Sequence, residues 1–110
     1  MFKVQDNNIS LIRGDSCILD LSITDPEGSE YEVTDTDVVV LTVKKSTRAT
    51  DVVFQKKLIN NQITIEPEDT AKLPYGKYVY DVQLTTATGY VDTIIPPHAF
   101  HVMGDATPNL

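Results

Sequence analysis

Residues 16–24 of the chain read SCILDLSIT, and apolar side chains alternate there with polar ones over nearly the whole stretch. The apolar members of this alternation are Cys17, Leu19, Leu21 and Ile23. Successive side chains of a strand point to opposite faces, so a period of two predicts a β-strand with one face in the core. Residues 77–85 repeat this period, and residues 38–43 are almost continuously apolar, as expected of a central strand.

The composition favours strands along the whole chain. Val, Ile and Thr account for 34 of the 110 residues, and their branched side chains pack well on a pleated surface. Turn residues divide the apolar runs, notably Asn60-Asn61, which favours a hairpin. The pair Pro96-Pro97 is expected to end the strand that begins near Tyr90, because proline donates no ladder hydrogen bond.

These patterns predict an all-β fold, an antiparallel Ig-like β-sandwich of about seven to nine short strands. At most one helical turn is expected, near residues 67–72, where Pro67 suits a first turn. Residues 67–71 and 76–80 together resemble the corner that leads into the sixth strand of immunoglobulin-like domains, where a Tyr hydroxyl bonds back to the chain. We expect one domain over residues 1–110, with residues 104–110 as a flexible tail.

The charge and the cysteine content argue against several classes of partner and cofactor. With 9 Lys and Arg against 16 Asp and Glu, the formal charge is −7, whereas nucleic acid and anionic membrane surfaces attract clustered positive charge. One Cys leaves no internal disulfide and no zinc site built from several thiolates. The longest apolar run, residues 38–41, is far shorter than a membrane span, and residues 1–8 show no apolar signal core. Neither nucleic acid nor a membrane is therefore an expected partner.

The side chains that most often carry chemistry have simpler structural interpretations here. Cys17 lies on the apolar side of its strand, where a thiol acts as a small hydrophobic side chain. His98 and His101 are three residues apart, so on an extended chain they face opposite sides and cannot share a metal ion.

The charged residues form short clusters in stretches expected to be loops and strand ends. The acidic clusters are Asp25/Glu27, Glu30/Glu32, Asp35/Asp37 and Glu66/Glu68/Asp69. None has the spacing of a calcium loop, so we expect solvated charge that discourages edge-to-edge pairing. A shallow calcium site at Asp35 and Asp37 stays open as an alternative. The basic doublets, which with Arg48 fit solvated strand ends, are Lys44-Lys45 and Lys56-Lys57.

The tripeptide Arg13-Gly14-Asp15 has the sequence of an integrin-recognition motif. It stands where a turn between two strands is needed, and Gly14 suits that turn, so a structural role is expected. The sequence therefore predicts no catalytic, cofactor-binding or metal-binding residues, no cofactor, and a chain that is not an enzyme.

Several stretches together resemble a known family. They are residues 13–16, 19–23, 25–28, 40–45, 76–85, 89–97 and 100–102. In these stretches the chain resembles small proteins of phages and prophages of Gram-positive bacteria, and it is similar to the N-terminal Ig-like domain of phage baseplate upper proteins. The resemblance implies a structural or assembly role in a virion, at its tail or baseplate, and it carries over no catalytic residues.

The expected function is therefore a non-enzymatic module that is made in the bacterial cytoplasm and docks in the virion onto other phage structural proteins or onto copies of itself. Apolar residues near the sheet edges are the expected contacts: Phe2, Val4, Tyr31, Tyr75, Tyr90 and Phe100. The alternative is a carbohydrate- or cell-surface-binding sandwich, for which the absence of Trp leaves few stacking surfaces. No small-molecule substrate is expected.

Overall fold

The computed structural model describes residues 3–5, 7–24 and 27–104. Within them lie eight strands and one short helix. The strands are β1 (Lys3–Gln5), β2 (Asn8–Ile12), β3 (Cys17–Asp20), β4 (Val38–Lys44), β5 (Phe54–Lys57), β6 (Gln62–Ile65), β7 (Gly76–Thr85) and β8 (Val91–Met103). The helix, α1, is the single turn Pro67–Thr70, which confirms the helical turn predicted near residues 67–72. Of the predicted tail, residues 105–110 lie outside the described part of the chain.

The strands form two sheets that enclose one core. A six-stranded sheet has the order β1-β2-β8-β7-β4-β5, and a two-stranded sheet pairs β3 with β6. Buried side chains from both sheets belong to a single hydrophobic cluster. The prediction of an all-β sandwich is confirmed. Its strand order is Ig-like, because β8-β7-β4-β5 and β3-β6 have the neighbours of strands G-F-C-C′ and B-E in immunoglobulin sandwiches.

One pairing contradicts the prediction of a wholly antiparallel fold. β2 pairs with β8 in parallel, with Ile9 opposite Phe100 and Ile12 opposite Met103, so the six-stranded sheet is mixed. Hairpins force neighbouring strands to be antiparallel, but no hairpin joins these two strands, because β2 follows β1 and the chain then crosses to β3 in the other sheet. Packing of distant segments therefore sets the direction of β2 relative to β8.

The expectation that Pro96-Pro97 ends a strand is also wrong, because β8 continues through both prolines over 13 residues. The register shifts between Tyr80 and Val82, so the two prolines lie opposite a single residue of β7, as in a β-bulge. β2 pairs with β8 only from Phe100 onwards. The prolines therefore lie where their missing N–H groups cost no hydrogen bond to β2.

The alternation in residues 16–24 sets which side chains face the core. Cys17 and Ile23 are buried, whereas Leu19 and Leu21 are partly buried and pack against the core cluster. Because β3 ends at Asp20, Leu21 and Ile23 reach the core from the connection that follows the strand.

Phe100 lies at the centre of the core, so its prediction as an exposed docking residue is wrong. Its side chain is 0% exposed. Its ring meets those of Phe54 and Tyr80 edge-on, at centroid distances of 5.8 and 6.4 Å. The ladders place it directly between two other buried residues, Ile9 on β2 and Tyr78 on β7. A side chain flanked on both sides by core positions of one sheet face does not reach solvent.

The corner between β6 and β7 contains the tyrosine contact that its sequence predicts. The hydroxyl of Tyr78 donates a 2.7 Å hydrogen bond to the carbonyl oxygen of Pro74, just upstream of β7. Thr70, at the end of α1, is fully buried, and its Oγ1 accepts a 2.9 Å hydrogen bond from the N–H of Gly14. The corner is therefore tied both to β7 and to the turn between β2 and β3.

Replacing Phe100 with Ala should lower the free energy of unfolding by about 3–5 kcal/mol, because a fully buried ring is lost and a cavity remains. The matched control is Tyr90→Ala. Tyr90 is 64% exposed, and its loss should change stability by no more than about 0.5 kcal/mol. Urea denaturation followed by circular dichroism measures both values. Equal losses in the two variants would contradict the central position of Phe100.

Candidate functional site

Cys17 lies in the core and serves packing. Its side chain is 1% exposed, and it pairs with Ile65 across β3 and β6. Burial raises the pKa of the thiol to about 11. The thiol therefore stays protonated at neutral pH, and a protonated thiol is a poor nucleophile and a poor metal ligand.

His98 and His101 lie on opposite faces of β8, as predicted. His98 pairs with the buried Tyr80, and His101 pairs with the exposed Lys77. The His98 ring lies 6.4 Å from the Tyr80 ring, and its Nδ1 contacts the carbonyl oxygen of Pro96. Because the two imidazoles point away from each other, they cannot bind one metal ion together.

The tripeptide Arg13-Gly14-Asp15 forms the turn between β2 and β3, as predicted. Gly14 has a φ of +84°, a value that glycine adopts without strain. The Arg13 guanidinium lies 4.3 Å from the centroid of the Tyr75 ring and donates a 2.9 Å hydrogen bond to the Tyr75 hydroxyl. This cation–π contact holds the guanidinium against the sandwich and covers one face of the Tyr75 ring.

The acidic residues around α1 fix the corner. Asp69 accepts a 2.7 Å hydrogen bond from the backbone N–H of Glu66 and forms a 2.9 Å ion pair with Nζ of Lys56. The hydrogen bond to Asp69 raises the pKa of Lys56. A hydrogen bond between the carboxyl groups of Glu66 and Glu68 lowers the pKa of Glu68. The second basic doublet is therefore divided: Lys56 is engaged in this cluster, whereas Lys57 is exposed.

Asp37 is also held by protein donors. Its Oδ2 accepts a 3.1 Å hydrogen bond from the Thr34 N–H and a 2.7 Å hydrogen bond from the Tyr31 hydroxyl. The Thr34 contact, followed by the Tyr31 contact, lowers the pKa of the Asp37 carboxyl. Asp35 is exposed and lines, together with Ile59, a cavity of about 440 Å³.

Acidic groups are spread along the connections rather than gathered. In the described ranges, no group of three or more His, Cys, Asp or Glu side chains is placed to hold a metal ion. Glu30 and Glu32 are exposed. Of the first acidic pair, Glu27 is exposed and Asp25 lies outside the described residues.

Three connections meet at one end of the sandwich, which we call the loop end: residues 27–37, 58–61 and 86–90. They come together because β4 begins at this end, β5 finishes there and the β7–β8 hairpin turns there. The ladders place Val38 opposite Thr85, and Thr85 opposite Val91. Large apolar side chains are exposed here: Val38 (43%), Ile59 (69%), Tyr90 (64%) and Val91 (54%).

Six apolar surface contacts are expected from the sequence. Among those that the structure describes, only Tyr90 is an exposed side chain at the loop end. Tyr75 is exposed but lies at the opposite end beneath Arg13. Tyr31 is half-buried, and its hydroxyl is bound to Asp37. Phe2 and the side chain of Val4 lie outside the described part of the chain.

Sequence reasoning missed the other three exposed apolar residues of the loop end. Val38 and Val91 are the first residues of β4 and β8, and the apolar residues that follow them in the sequence predict that they are buried too. The exposure of Ile59 could have been predicted from the sequence. Ile59 directly precedes the Asn60-Asn61 turn, and connecting segments of this kind run over the protein surface.

The fold and these contacts define a β-sandwich protein that, among its described residues, has four of seven exposed large apolar side chains at one end. A scan against protein-family models and a search of curated proteins both found no match to the chain. None of the helical structure in the described residues has the length and apolar character needed to cross a membrane.

Replacing Asp37 with Asn should make stability less dependent on pH in the acidic range. Because the native pKa is lowered, the carboxylate stabilises the fold above its pKa in the unfolded chain, about 3.9. That contribution is lost as the pH falls through the native value. Urea denaturation at a series of acidic pH values should show a larger loss for the wild type than for Asp37→Asn. Asp35→Asn is the control and should behave as the wild type; equal slopes for all three would rule out the contribution of Asp37.

In the folded protein, Cys17 should not react with Ellman's reagent at mildly alkaline pH, because the side chain is 1% exposed and its pKa is about 11. In guanidinium it should react fully. Ser46→Cys is the positive control, because residue 46 is exposed and its added thiol should react at once. Release of the coloured thiolate measures each reaction, and prompt labelling of the native wild type would refute the core position of Cys17.

Proposed function

We propose that the chain is a non-enzymatic structural or assembly module of a phage particle, associated with the tail or baseplate and acting through protein–protein contacts. The observation that carries this proposal is the loop end, where Val38, Ile59, Tyr90 and Val91 expose large apolar surfaces. Apolar residues gathered in one exposed area mark contact surfaces, whereas scattered ones need no explanation. The resemblance of the sequence to phage baseplate upper proteins supplies the phage context.

The positions of the reactive side chains support a binding role over catalysis. Acid–base or nucleophilic chemistry needs two groups within hydrogen-bond reach beside a place for substrate. Cys17 lies in the core, whereas His98 lies beside a tyrosine ring on another strand. Asp37 and Asp69 are each held by donors at opposite ends of the sandwich. Each of these groups serves a structural contact, and no two of them face each other.

The size of the loop end sets the strength of the contact that it offers. Fully burying one large apolar side chain contributes about 1.5–3 kcal/mol, and the four here are already between 43% and 69% exposed rather than fully exposed. Association costs about 4–15 kcal/mol in lost translational and rotational freedom. A single contact of this kind is therefore weak. It suits an assembly in which several copies bind side by side and reinforce one another.

A strand edge continues from the loop end and offers a second kind of contact. Residues 91–95 of β8 pair with β7 on one side, while β2 pairs with β8 only from Phe100. No described strand pairs with this side of residues 91–95, and such an edge accepts a strand from a partner through main-chain hydrogen bonds. Pro96-Pro97 closes this edge, since proline donates no hydrogen bond. Val91 belongs to both surfaces, so one partner can use them together.

Mass spectrometry of purified particles from the producing strain tests the proposal. The chain should copurify with tail or baseplate proteins. In a strain carrying Ile59→Asp, its amount per particle should fall at least several-fold, because a charge replaces an apolar contact at the loop end.

Ile18→Asp is the matched control, because Ile18 is 50% exposed on the outer face of β3 and away from the loop end. This variant should be incorporated like the wild type. Absence of the chain from particles that the wild-type strain produces would contradict the proposal. Equal incorporation of Ile59→Asp and Ile18→Asp would show that the loop end is not the contact surface.

A carbohydrate- or cell-surface-binding module is the second candidate, and Tyr90 is the observation that favours it. Its ring is 64% exposed in the β7–β8 connection, next to the start of β8, and an exposed aromatic face can stack on a sugar. A glycan array with the wild type and Tyr90→Ala distinguishes the two functions. Binding that disappears with Tyr90→Ala would favour the second candidate, and a blank array would favour the first.

A further inference from the structure

The excess negative charge of the protein is confined to one segment. Residues 14–43 contain eight Asp and Glu and no Lys or Arg. The rest of the chain contains eight Asp and Glu and nine Lys and Arg, so it is nearly neutral. The formal charge of −7 is therefore a property of this segment and not of the surface as a whole.

The topology places residues 27–37, which hold five of these eight acidic residues, at the loop end, and a loop with two basic residues at the other end of the sandwich. Asp15, in the turn after β2, and the acidic residues around α1 lie at that other end as well. Residues 27–37 precede β4, which starts at the loop end, and residues 45–53 follow β4 at the far end. The far-end loop contains Lys45 and Arg48, both exposed, and one acidic residue, Asp51. One strand thus separates an acidic surface from a basic one.

Several of these charges form no ion pair with the described residues. Within the described residues, ion pairs occupy Lys56, whereas the acidic residues Glu30, Glu32 and Asp35 and the basic residues Lys45 and Arg48 take part in none. The molecule is 44 Å long, which is close to the span of the 13-residue strand β8 at about 3.3 Å per residue. Because the screening length in physiological salt is about 8 Å, the two ends of one molecule scarcely attract each other.

Apolar residues accompany the charges at both ends. Ile59 and Tyr90 are exposed beside the acidic residues of the loop end, and Val52 is 47% exposed in the basic loop. Asp35 and Ile59 line the same cavity, of about 440 Å³. Each end therefore combines an exposed apolar side chain with exposed charge, which is acidic in residues 27–37 and basic at Lys45 and Arg48.

We infer that a second copy of this chain binds end to end, with the loop end of one molecule on the 45–53 loop of the next. The acidic residues of one copy then face Lys45 and Arg48 of the other, and Ile59 and Val52 become buried between them. This inference deepens the proposed function by naming a partner, and it rests on the claim that the chain acts through protein contacts. Since the two surfaces differ, the contact is head to tail and generates a ring or a filament.

Sedimentation velocity of the full chain over a range of concentrations tests this contact. At low ionic strength the mean mass should rise with concentration beyond a dimer, because a head-to-tail contact does not close after two copies. Raising the salt should weaken association by on the order of tenfold, since the charges are exposed and become screened.

Two double variants change the charge at one end each. Glu30→Lys with Glu32→Lys removes most of the negative charge of residues 27–37, which hold five Asp and Glu, and Lys45→Glu with Arg48→Glu makes the far-end loop acidic. Each variant alone should associate at least tenfold more weakly than the wild type, because the attraction between opposite charges is lost. An equimolar mixture of the two should form dimers, because the intact loop end of the second variant meets the intact 45–53 loop of the first.

The control is Glu68→Lys with Asp81→Lys, which changes the net charge as much as the loop-end variant but lies on α1 and β7, outside both contact loops. It should associate at least as strongly as the wild type, because its added positive charge lies on the side of the basic loop. A wild type that stays monomeric at every concentration in low salt overturns the inference, as does a mixture that fails to associate or a control that weakens association equally. Detection of a monomeric chain in purified particles would overturn this contact while leaving the proposed function standing.

Discussion

The ladder between β7 and β8 is the interaction on which the rest of the structure depends. It runs from Gly76 opposite Val102 to Thr85 opposite Val91. β2 attaches to the free side of β8 and β4 to the free side of β7, so every other strand of the large sheet is added outward from this pair. The same two strands supply the aromatic centre of the core through Tyr78, Tyr80 and Phe100. A change that shifts their register would move these rings to the opposite face.

The bulges in this ladder allow a long strand to coexist with two prolines. Where Pro96-Pro97 faces one residue of β7, the ladder skips a step and the strand resumes at His98. The interruption also ends the strand edge that borders the loop end. One local irregularity therefore serves both the fold, by keeping β8 in the sheet, and the surface, by limiting where another chain can add a strand.

Several of the charged side chains make contacts that hold the sandwich together. Arg13 covers Tyr75, Lys56 joins Asp69 at the corner, and Asp37 collects two donors in its loop. These contacts stabilise the long connections that flank the short strands β3, β5 and β6. Within the described residues, both ends of the sandwich expose apolar side chains together with charged ones, as Ile59 and Val52 show.

The sequence by itself determined the class of fold, the faces of the strands and several turns. Alternation is a local property, so it identified the buried position of Cys17, and Asn60-Asn61 turned with positive φ as its residue types predict. Only the tertiary structure decided that β2 runs parallel to β8, that Phe100 is central rather than exposed, and that Ile59 shares one end with Tyr90. The physical reason is that a period of two tells which face a side chain takes but not which strand lies beside it. Strand neighbours far apart in sequence are chosen by how the whole core packs.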